Sequence, residues 1–406
     1  MKCRFCQSAL TDVFLDLGSA PPSNAFLDAG RLLAPEPYFP LKLFTCGRCH
    51  LVQVDEVQSH DAIFDNEYVY FSSYSSSWLD HARRYVDEAT TRLGLDASSL
   101  VMEIASNDGY LLQYVKDRGI PCVGIEPTGG TAEAARAKGV ETIGEFFGND
   151  FARRFVADRG KADLIIANNV FAHVPDVNDF AAGLANALAS DGTITIEFPH
   201  LMQLVAERQF DTVYHEHFSY FSLHTAAAIL AAQGLDVWDV QELPTHGGSL
   251  RLWVSHAGKR TPTERLEDLL CREREAGMLD NVYYSDFQRK ADDVKNDCLR
   301  FLIEQRAAGK RVAAYGAAAK GNTLLNYAGV RQDLLPFVVD ASPYKQGKWL
   351  PGSRIPVVDE TRLREEKPDF ILILPWNLRQ EIMAQLDYAR EWGAHFVVAV
   401  PRLEVM

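Results

Sequence analysis

The stretch "LVMEIASNDGYLLQYVKDRGIPCVGIEP", residues 100–127, determines the fold of the centre of the chain. An apolar run at 100–104 is followed by the small and polar turn "ASNDG", a helix beginning at Tyr110 and a second apolar run that ends before Glu126. Short apolar runs bounded by turn residues are typical of buried strands. The order strand, helix, strand predicts a βαβ unit with parallel strands.

The same alternation of strands and helices continues through the central part of the chain and appears again in its C-terminal part. "ADLIIANNVFAHVPDVNDFAAGLANAL" (162–188) and "GTITIEFP" (192–199) extend the first series. A second series begins at "RVAAYGAAAKGNTLLNYAGV" (311–330) and continues through "DFILILPWN" (369–377) and "HFVVAVP" (395–401). The first series predicts a doubly wound sheet with its ligand at the carboxyl ends of the strands, and the second predicts a further βαβ unit.

Four of the seven cysteines stand in two CxxC pairs, "CRFC" and "CGRC". Each pair can present two thiolates to one ion, and zinc prefers a tetrahedral set of sulfur ligands. Cys3, Cys6, Cys46 and Cys49 therefore predict a structural Zn(II) site that stabilises a module too small to fold alone. A redox role is the alternative, but redox CxxC motifs lie at a strand–helix junction, and neither pair does.

Composition and charge favour small molecules as partners. The 406 residues suggest more than one domain, and 47% hydrophobic with 24% charged residues is typical of soluble globular proteins. A formal charge of −14 opposes the basic surface that nucleic-acid binders need, so we expect no nucleic-acid partner. No apolar run has the length of a signal peptide or a membrane span, which predicts a cytoplasmic protein without a membrane partner. We also expect a monomer.

The turn "ASNDG" restricts the choice of cofactor. It holds one glycine, Gly109, where the dinucleotide motif GxGxxG has three, so a pyrophosphate approaches the backbone less closely. S-adenosylmethionine, which has no phosphate and is held by side chains, fits this turn better. Glu103 would face its charged end, and Asn107 and Asp108 would form hydrogen bonds to it. Glu126 would bind both ribose hydroxyls. NAD, or no cofactor, stays open at this point.

Seven motifs in a fixed order make the whole chain resemble a known family. They are "EIASNDGYLLQ" (103–113), "GIEP" (124–127), "NNVFAHVPD" (168–176), "FDTVYHEHFSYFS" (210–222), "PTHGGSLR" (244–251), "YGAAAKGNTLLNY" (315–327) and "SPYKQGKWLPG" (342–352). With the cysteine pairs, they resemble the nucleotide-sugar C-methyltransferases, which include the C-3 methyltransferases of deoxysugar biosynthesis. That family uses S-adenosylmethionine to methylate the carbon beside the keto group of a dTDP-linked 4-keto sugar.

The resemblance implies an α/β fold in three parts. These are an N-terminal zinc-binding module at 1–70, a central doubly wound Rossmann-like methyltransferase domain at 71–255 that includes the preceding helix, and a C-terminal second Rossmann-like domain at 256–406. Members of the family hold the sugar between the two Rossmann-like domains. The nucleotide, the exact sugar, the methylated carbon and its stereochemistry stay open.

The resemblance also implies which residues bind cofactor and substrate. The cofactor set comprises Glu103, Ala105, Asn107, Asp108, Gly109, Glu126, Pro127, Asn168, Asn169 and His173. The substrate set comprises Tyr70, His173, His246, Lys320, Asn322, Lys345 and Lys348. The lysines and a helix N-terminus would hold the diphosphate; helix capping by solvated lysines is the alternative. Lys320 precedes Gly321, whereas a phosphate loop needs its lysine after the second glycine, so nucleotide hydrolysis is not predicted.

The segment "YHEH", residues 214–217, is the predicted catalytic centre. C-methylation beside a ketone needs a base for the α-proton and a donor for the enolate oxygen. The resemblance carries Tyr214, Glu216 and His217 into the active site. We predict His217 as the base, because a reference pKa of about 6.5 suits proton abstraction at neutral pH. Glu216 would orient it or bind sugar, and Tyr214 would donate to the enolate or to a sugar hydroxyl.

Other interpretations of these residues remain open from the sequence. Tyr74 is placed in the catalytic set, although packing is the alternative for both Tyr70 and Tyr74, and turn capping is the alternative for His246. His215 is assigned a structural role. "HEH" lacks the HExxH spacing of a metal-binding helix, so a polar structural loop is the main alternative to catalysis. Epimerase or reductase activity on a similar sugar, or a non-catalytic zinc-ribbon binding protein, are the alternative functions.

Overall fold

The computed structural model describes residues 1–55 and 71–406, which form three β-sheets with flanking helices. The predicted α/β class is confirmed. Over these two ranges, no helix combines the length and the apolar character that crossing a bilayer requires. The predicted domain boundaries at 70/71 and 255/256 stay predictions.

The N-terminal module is a four-stranded antiparallel sheet that takes its last strand from the middle of the chain. Its strands are β1 (Asp12–Ala20), β2 (Phe39–Thr45), β3 (Val52–Val54) and β9 (Ser219–Tyr220). β9 pairs with β3 through Val52 opposite Tyr220 and Gln53 opposite Ser219. The segment that carries "YHEH" is thus hydrogen-bonded to the cysteine-rich module.

The two cysteine pairs come together at one end of this module. The Sγ atoms of Cys3, Cys6, Cys46 and Cys49 all lie within 4.8 Å of one another, and the Sγ atoms of Cys3 and Cys49 are 3.5 Å apart. A zinc ion with Zn–S bonds of about 2.3 Å needs sulfur atoms about 3.8 Å apart, so the donor set fits zinc. His50 is not a fifth donor: its Nδ1 lies 3.3 Å from Oδ1 of Asn281.

The central sheet has seven strands in the order β10-β11-β8-β7-β4-β5-β6. They are β4 (Val101–Ile104), β5 (Cys122–Ile125), β6 (Thr142–Ile143), β7 (Ala162–Asn168), β8 (Leu188–Pro199), β10 (Leu235–Leu243) and β11 (Ser249–His256). β4 to β8 are parallel, and β10 and β11 add antiparallel strands at one side. The chain order reverses at β4, which is where ligands bind in doubly wound sheets.

The helices of this region connect the strands and cover the sheet. They span Ser76–Leu93, Leu112–Lys116, Gly129–Ala137, Asn149–Arg159, Val177–Ala187, Leu201–Ala206 and Leu223–Ala231. The helix expected from Tyr110 begins at Leu112, two residues later. Tyr110 instead belongs to the turn and lines a cavity.

The C-terminal sheet repeats the parallel pattern in the order β14-β13-β12-β15-β16-β17, with only the last strand antiparallel. Its strands are β12 (Val312–Tyr315), β13 (Val338–Val339), β14 (Val357–Val358), β15 (Phe370–Ile373), β16 (His395–Val398) and β17 (Glu404–Val405). The helices of this part are Glu264–Glu275, Phe287–Ala307, Ala319–Tyr327, Thr361–Glu366 and Arg379–Gln385.

One apolar core joins the N-terminal module to the C-terminal sheet. It contains Phe14 of β1, Phe210 and Phe218 from the segment 210–222 that carries "YHEH", and Leu324 from the C-terminal domain. Burying a large apolar side chain contributes about 1.5–3 kcal/mol, so these contacts hold the parts together firmly. The segment 210–222 therefore lies between the module and the C-terminal domain.

The cysteine site leads to a first prediction. The purified protein should contain about one zinc ion per chain, and Cys46→Ser should abolish zinc binding. Because a structural zinc site contributes its binding free energy to folding, the same variant should lower the melting temperature by about 10 °C or more. Metal analysis and thermal unfolding measure both effects. Cys271→Ser, which changes an exposed cysteine outside the cluster, is the matched control. A metal-free protein whose four clustered thiols titrate freely would contradict the site.

Candidate active site

A large cavity of about 1740 Å³ lies where the three parts of the chain meet. Its wall includes Asn24 of the N-terminal module, Glu126 at the end of β5, His217 of the segment 210–222 and Lys320 of the C-terminal domain. Sites for one small ligand are usually about 300–1,000 Å³, so this cavity has room for a cofactor and a substrate side by side.

The predicted cofactor residues at the carboxyl ends of the strands mostly reach this cavity. Those that line it are Ala105, Asn107, Glu126, Pro127, Asn168, Asn169 and His173. The Glu126 carboxylate accepts hydrogen bonds from the backbone N–H groups of Asn107 and Thr128, both at 2.9 Å. These bonds fix a buried acceptor at the strand end, which is the place of a ribose-binding carboxylate in βαβ units.

Three predicted cofactor residues lie behind the cavity wall. Glu103 is 1% exposed, and burial raises the pKa of its carboxyl group well above the ordinary value. Asp108 is buried and pairs with Nζ of Lys138 at 3.1 Å. Gly109 has a φ of +74°, and an added Cβ would lie 3.2 Å from Cγ2 of Val140. These three residues support the turn but do not line the cavity. Their direct contact with a cofactor stays a prediction.

The "YHEH" segment is irregular, and this lets three of its side chains reach the cavity. A short 3₁₀ turn at Phe210–Thr212 precedes it, and β9 follows it. Tyr214, Glu216 and His217 all line the cavity, which a regular strand with alternating side chains would not allow. His215 instead faces β2, where its Nε2 lies 3.2 Å from the carbonyl oxygen of Pro40.

His217 has the geometry of a neutral base. Its Nδ1 lies 3.1 Å from the carbonyl oxygen of Thr212, and because a carbonyl can only accept, Nδ1 carries the proton. Nε2 therefore keeps its lone pair. Burial, followed by the neighbouring His173, lowers the pKa of His217 well below its ordinary value. The ring of Tyr214 lies 4.1 Å away, centroid to centroid, and that of His173 lies 4.6 Å away.

His173 and Glu216 are joined to the same cluster. Nδ1 of His173 donates to the backbone carbonyl of Glu216 at 2.8 Å, and burial lowers the pKa of His173 to about 4. The Glu216 carboxylate accepts a 2.7 Å hydrogen bond from the side-chain amide of Asn24. Burial raises the pKa of Glu216 to about 7, so this group can exchange a proton near neutral pH.

Two of the predicted substrate lysines reach the cavity. Nζ of Lys320 donates to Oδ1 of Asn377 at 2.8 Å and lies 4.8 Å from the centre of the Trp376 ring. Nζ of Lys345 donates to the carbonyl of Ala317 at 2.9 Å. Burial lowers the pKa of Lys320, while the nearby Asp211 opposes that shift. Both cations thus stand at the C-terminal side of the cavity.

His246 also lines the cavity, in a conformation unusual for a residue with a side chain. Its φ is +56°, and its ring packs edge-on against Trp78 at 5.1 Å. Burial lowers the pKa of His246 to about 4, and the charge of Lys320 acts in the same direction. Left-handed backbone in a non-glycine residue is typical of functional sites.

Three predicted substrate or catalytic residues within the described ranges do not line the cavity. Asn322 is buried within the helix Ala319–Tyr327, and Lys348 lies outside the wall. Tyr74 is 58% exposed, and its ring contacts those of Phe71 and Tyr344. Its predicted catalytic role has no support from this geometry, because the ring packs at the surface. Tyr70 lies outside the described residues.

Sequence analysis missed several residues of the wall. Trp78 and His81 come from one face of the helix Ser76–Leu93 and stack on each other at 4.8 Å. Nε2 of His81 lies 3.0 Å from a carboxylate oxygen of Glu197, which also accepts from Arg251 at 2.9 Å. Burial opposes ionisation of Glu197, but His81 and Arg251 lower its pKa to about 2. The Trp78/His81 spacing of three residues was the available signal, since it places both side chains on one helix face.

Comparison with known protein families matches nearly the whole chain. Residues 3–64 match a family described as "Putative zinc binding domain", residues 78–240 a methyltransferase domain, and residues 244–401 a C-methyltransferase C-terminal domain. With the four-cysteine cluster, the first match supports the predicted zinc site.

Solved structures resemble only part of the chain. A magnesium protoporphyrin IX methyltransferase from Synechocystis PCC 6803 is 15% identical, with a TM-score of 0.36 over 44% of this chain and 83% of that one. An S-adenosylmethionine-dependent methyltransferase from Clostridium acetobutylicum is 12% identical, with a TM-score of 0.36 over 44% of this chain and 92% of that one.

A relative that matches the full length of the chain is more informative about its family than these partial matches are. C-methyltransferase NovU of Streptomyces niveus is 34% identical over 100% of this chain and 96% of its own length. This similarity includes the cysteine module, both Rossmann-like parts and the segment that carries His217. The chain belongs to the C-methyltransferase family.

Proposed function

We propose that this C-methyltransferase transfers the methyl group of S-adenosylmethionine to C-3, beside the keto group, of a dTDP-linked 4-keto-deoxysugar. One observation carries the proposal: a single cavity joins the Glu126 strand end, the His217 cluster, and Lys320 with Lys345. These three regions match the needs of a cofactor, a carbon acid and a diphosphate. Membership of the C-methyltransferase family does not favour an epimerase, a reductase or a non-catalytic binding protein.

The cofactor end of the cavity suits a ligand that carries ribose and no phosphate. The Glu126 carboxylate, fixed by two backbone N–H groups, would accept hydrogen bonds from ribose hydroxyls. The "ASNDG" turn has one glycine, so its backbone allows a pyrophosphate a less close approach than a turn with three glycines would. When bound there, S-adenosylmethionine supplies an electrophilic methyl group.

The catalytic cluster would prepare the sugar carbon for methylation. His217, neutral and with a lone pair on Nε2, would take the α-proton, which leaves an enolate. The hydroxyl of Tyr214, whose ring packs on His217, would donate a hydrogen bond to the enolate oxygen. A preorganised donor of this kind is worth about 2.7–4 kcal/mol in the barrier. Glu216 would hold a sugar hydroxyl or orient this pair.

The lysine side of the cavity would bind the nucleotide diphosphate. Nζ of Lys320 and Nζ of Lys345 stand on the C-terminal wall, so the sugar would extend from them toward His217. A low-dielectric site strengthens the attraction between a lysine and a phosphate. In this arrangement the sugar lies between the two Rossmann-like domains.

The direct test uses methyl-labelled S-adenosylmethionine and a panel of dTDP-linked 4-keto sugars. We expect one product per accepted sugar, with the label on the carbon beside the keto group, which the reaction retains, as carbon NMR detects. Label found only on oxygen or nitrogen would refute C-methylation of the sugar, and no transfer to any keto sugar would refute the substrate class.

Exchange of the α-proton tests the role of His217. In deuterated water, the wild-type enzyme with S-adenosylhomocysteine should exchange the sugar α-proton, and His217→Asn should slow this exchange by about 10²- to 10⁴-fold, the usual contribution of a positioned base. Proton NMR measures the rate. His215→Asn is the matched control, because His215 faces β2 rather than the cavity. Equal exchange rates in His217→Asn and the wild type would remove His217 as the base.

The proposed role of Glu126 in binding the ribose can be tested by measuring cofactor affinity, without a sugar substrate. Glu126→Ala removes a charged acceptor from the strand end, so the Kd for S-adenosylmethionine should rise about 10- to 100-fold by isothermal titration calorimetry. Glu133→Gln, on the exposed face of the helix Gly129–Ala137, should leave the Kd unchanged. An unchanged Kd in Glu126→Ala would place the ribose elsewhere.

A further inference from the structure

A residue of the N-terminal module reaches the catalytic cluster. Asn24 stands in the loop "APPSNAF" that follows β1, and its side chain lines the cavity. Its Nδ2 donates to Oε1 of Glu216 at 2.7 Å. Glu216 is 3% exposed, so this donor meets a carboxylate that water reaches poorly. A buried carboxylate is costly unless hydrogen bonds satisfy it.

The loop of Asn24 is held from both sides. Ala25 N–H donates to the carbonyl of Pro22 at 3.1 Å, which makes a tight turn around Asn24. Leu27 and Trp349 exchange two backbone hydrogen bonds, of 2.9 and 2.8 Å, and so join the loop to the C-terminal domain. Phe26 is buried in the core that the module shares with that domain. Asn24 is therefore presented by fixed backbone rather than by a free loop.

We propose that Asn24 is a positioning residue of the methyl-transfer site, whose amide holds the carboxylate of Glu216 in the cavity wall. The cysteine module then contributes to the reaction and does more than stabilise the chain. This inference rests on the proposed function for the role of Glu216 in methyl transfer, but the contact itself can be tested without any substrate.

The bond has a defined electrostatic effect on Glu216. Burial raises the pKa of that carboxyl to about 7, and the Asn24 amide opposes the rise because it stabilises the ionised form. The other titratable groups that line the cavity nearby are His173, Tyr214 and His217, with Lys345 beside the Asn24 loop. Loss of the amide should therefore raise the pKa of Glu216 and leave more of it protonated at neutral pH.

Infrared titration can measure this pKa directly. The carboxyl band of Glu216 is assigned by its absence in Glu216→Gln and is followed against pH in the apoprotein. We expect the midpoint to move upward by about one pH unit in Asn24→Ala, because a hydrogen bond to a charged group is lost. Asn24→Asp, which is isosteric but places a second carboxylate against Glu216, should raise the midpoint further.

Two further measurements separate positioning from folding. Asn281→Ala, which removes an amide bonded to Asp12 of the module but outside the cavity wall, should leave the midpoint unchanged. In the enzymatic assay, the acid limb of the kcat/KM profile should move upward in Asn24→Ala together with the infrared midpoint. Zinc content and melting temperature confirm that each variant is folded. An unchanged infrared midpoint in both Asn24→Ala and Asn24→Asp would overturn the inference, whether or not the sugar proves to be the substrate.

Discussion

The short pairing between β3 and β9 is the constraint on which the active site depends. It joins the segment 210–222 to a sheet that begins at the cysteine cluster, and Arg4, which lies between Cys3 and Cys6, adds hydrogen bonds to this pairing. Its Nη1 donates to the carbonyls of Val54 at 2.7 Å and Phe218 at 3.2 Å. On the other side, Phe218 N–H donates to the carbonyl of Ala172 at 2.8 Å, beside His173. The segment that carries His217 is therefore fixed between the module and the central sheet, and its side chains need no regular secondary structure to hold their directions.

Burial gives this cavity a largely neutral interior. It lowers the pKa values of His173, His217 and His246, which favours their neutral forms, and it raises that of Glu216 to about 7, so part of this carboxyl group is protonated near neutral pH. Charges remain where a partner compensates them, as at Lys320 beside Asp211 and at Glu197 between His81 and Arg251. A new negative charge beside these buried side chains would interact strongly with the donors that face it, because the effective dielectric constant of a protein interior is lower than that of water. The same conditions keep the imidazole of His217 unprotonated before the reaction starts.

The sequence predicted the features that depend on local pattern, and the structure supplied those that depend on tertiary contacts. The βαβ unit at residues 100–127 and the clustering of Cys3, Cys6, Cys46 and Cys49 follow from periodicity and spacing, and both were confirmed. The orientation of His215 away from the cavity also agrees with its predicted structural role. The ion pair of Asp108 could not be predicted from the sequence, because its partner Lys138 lies 30 positions further along the chain. Asn24 could not be found at all, since the residue that it contacts is Glu216, 192 positions away, and no local pattern indicates such a contact.

The backbone of the cofactor turn has a consequence for recognising related enzymes. Ala105, Asn107 and Asn169 all hold φ values near +50° at the strand ends that line the cavity, and only Gly109 in the "ASNDG" turn is a glycine. Left-handed geometry costs a residue with a side chain about 1–2 kcal/mol, a strain that the packed surroundings sustain here. A search for glycine-rich loops would pass over this chain, because residues with side chains take left-handed positions at these strand ends. Here the backbone conformation at the strand ends indicates the site better than the number of glycines does.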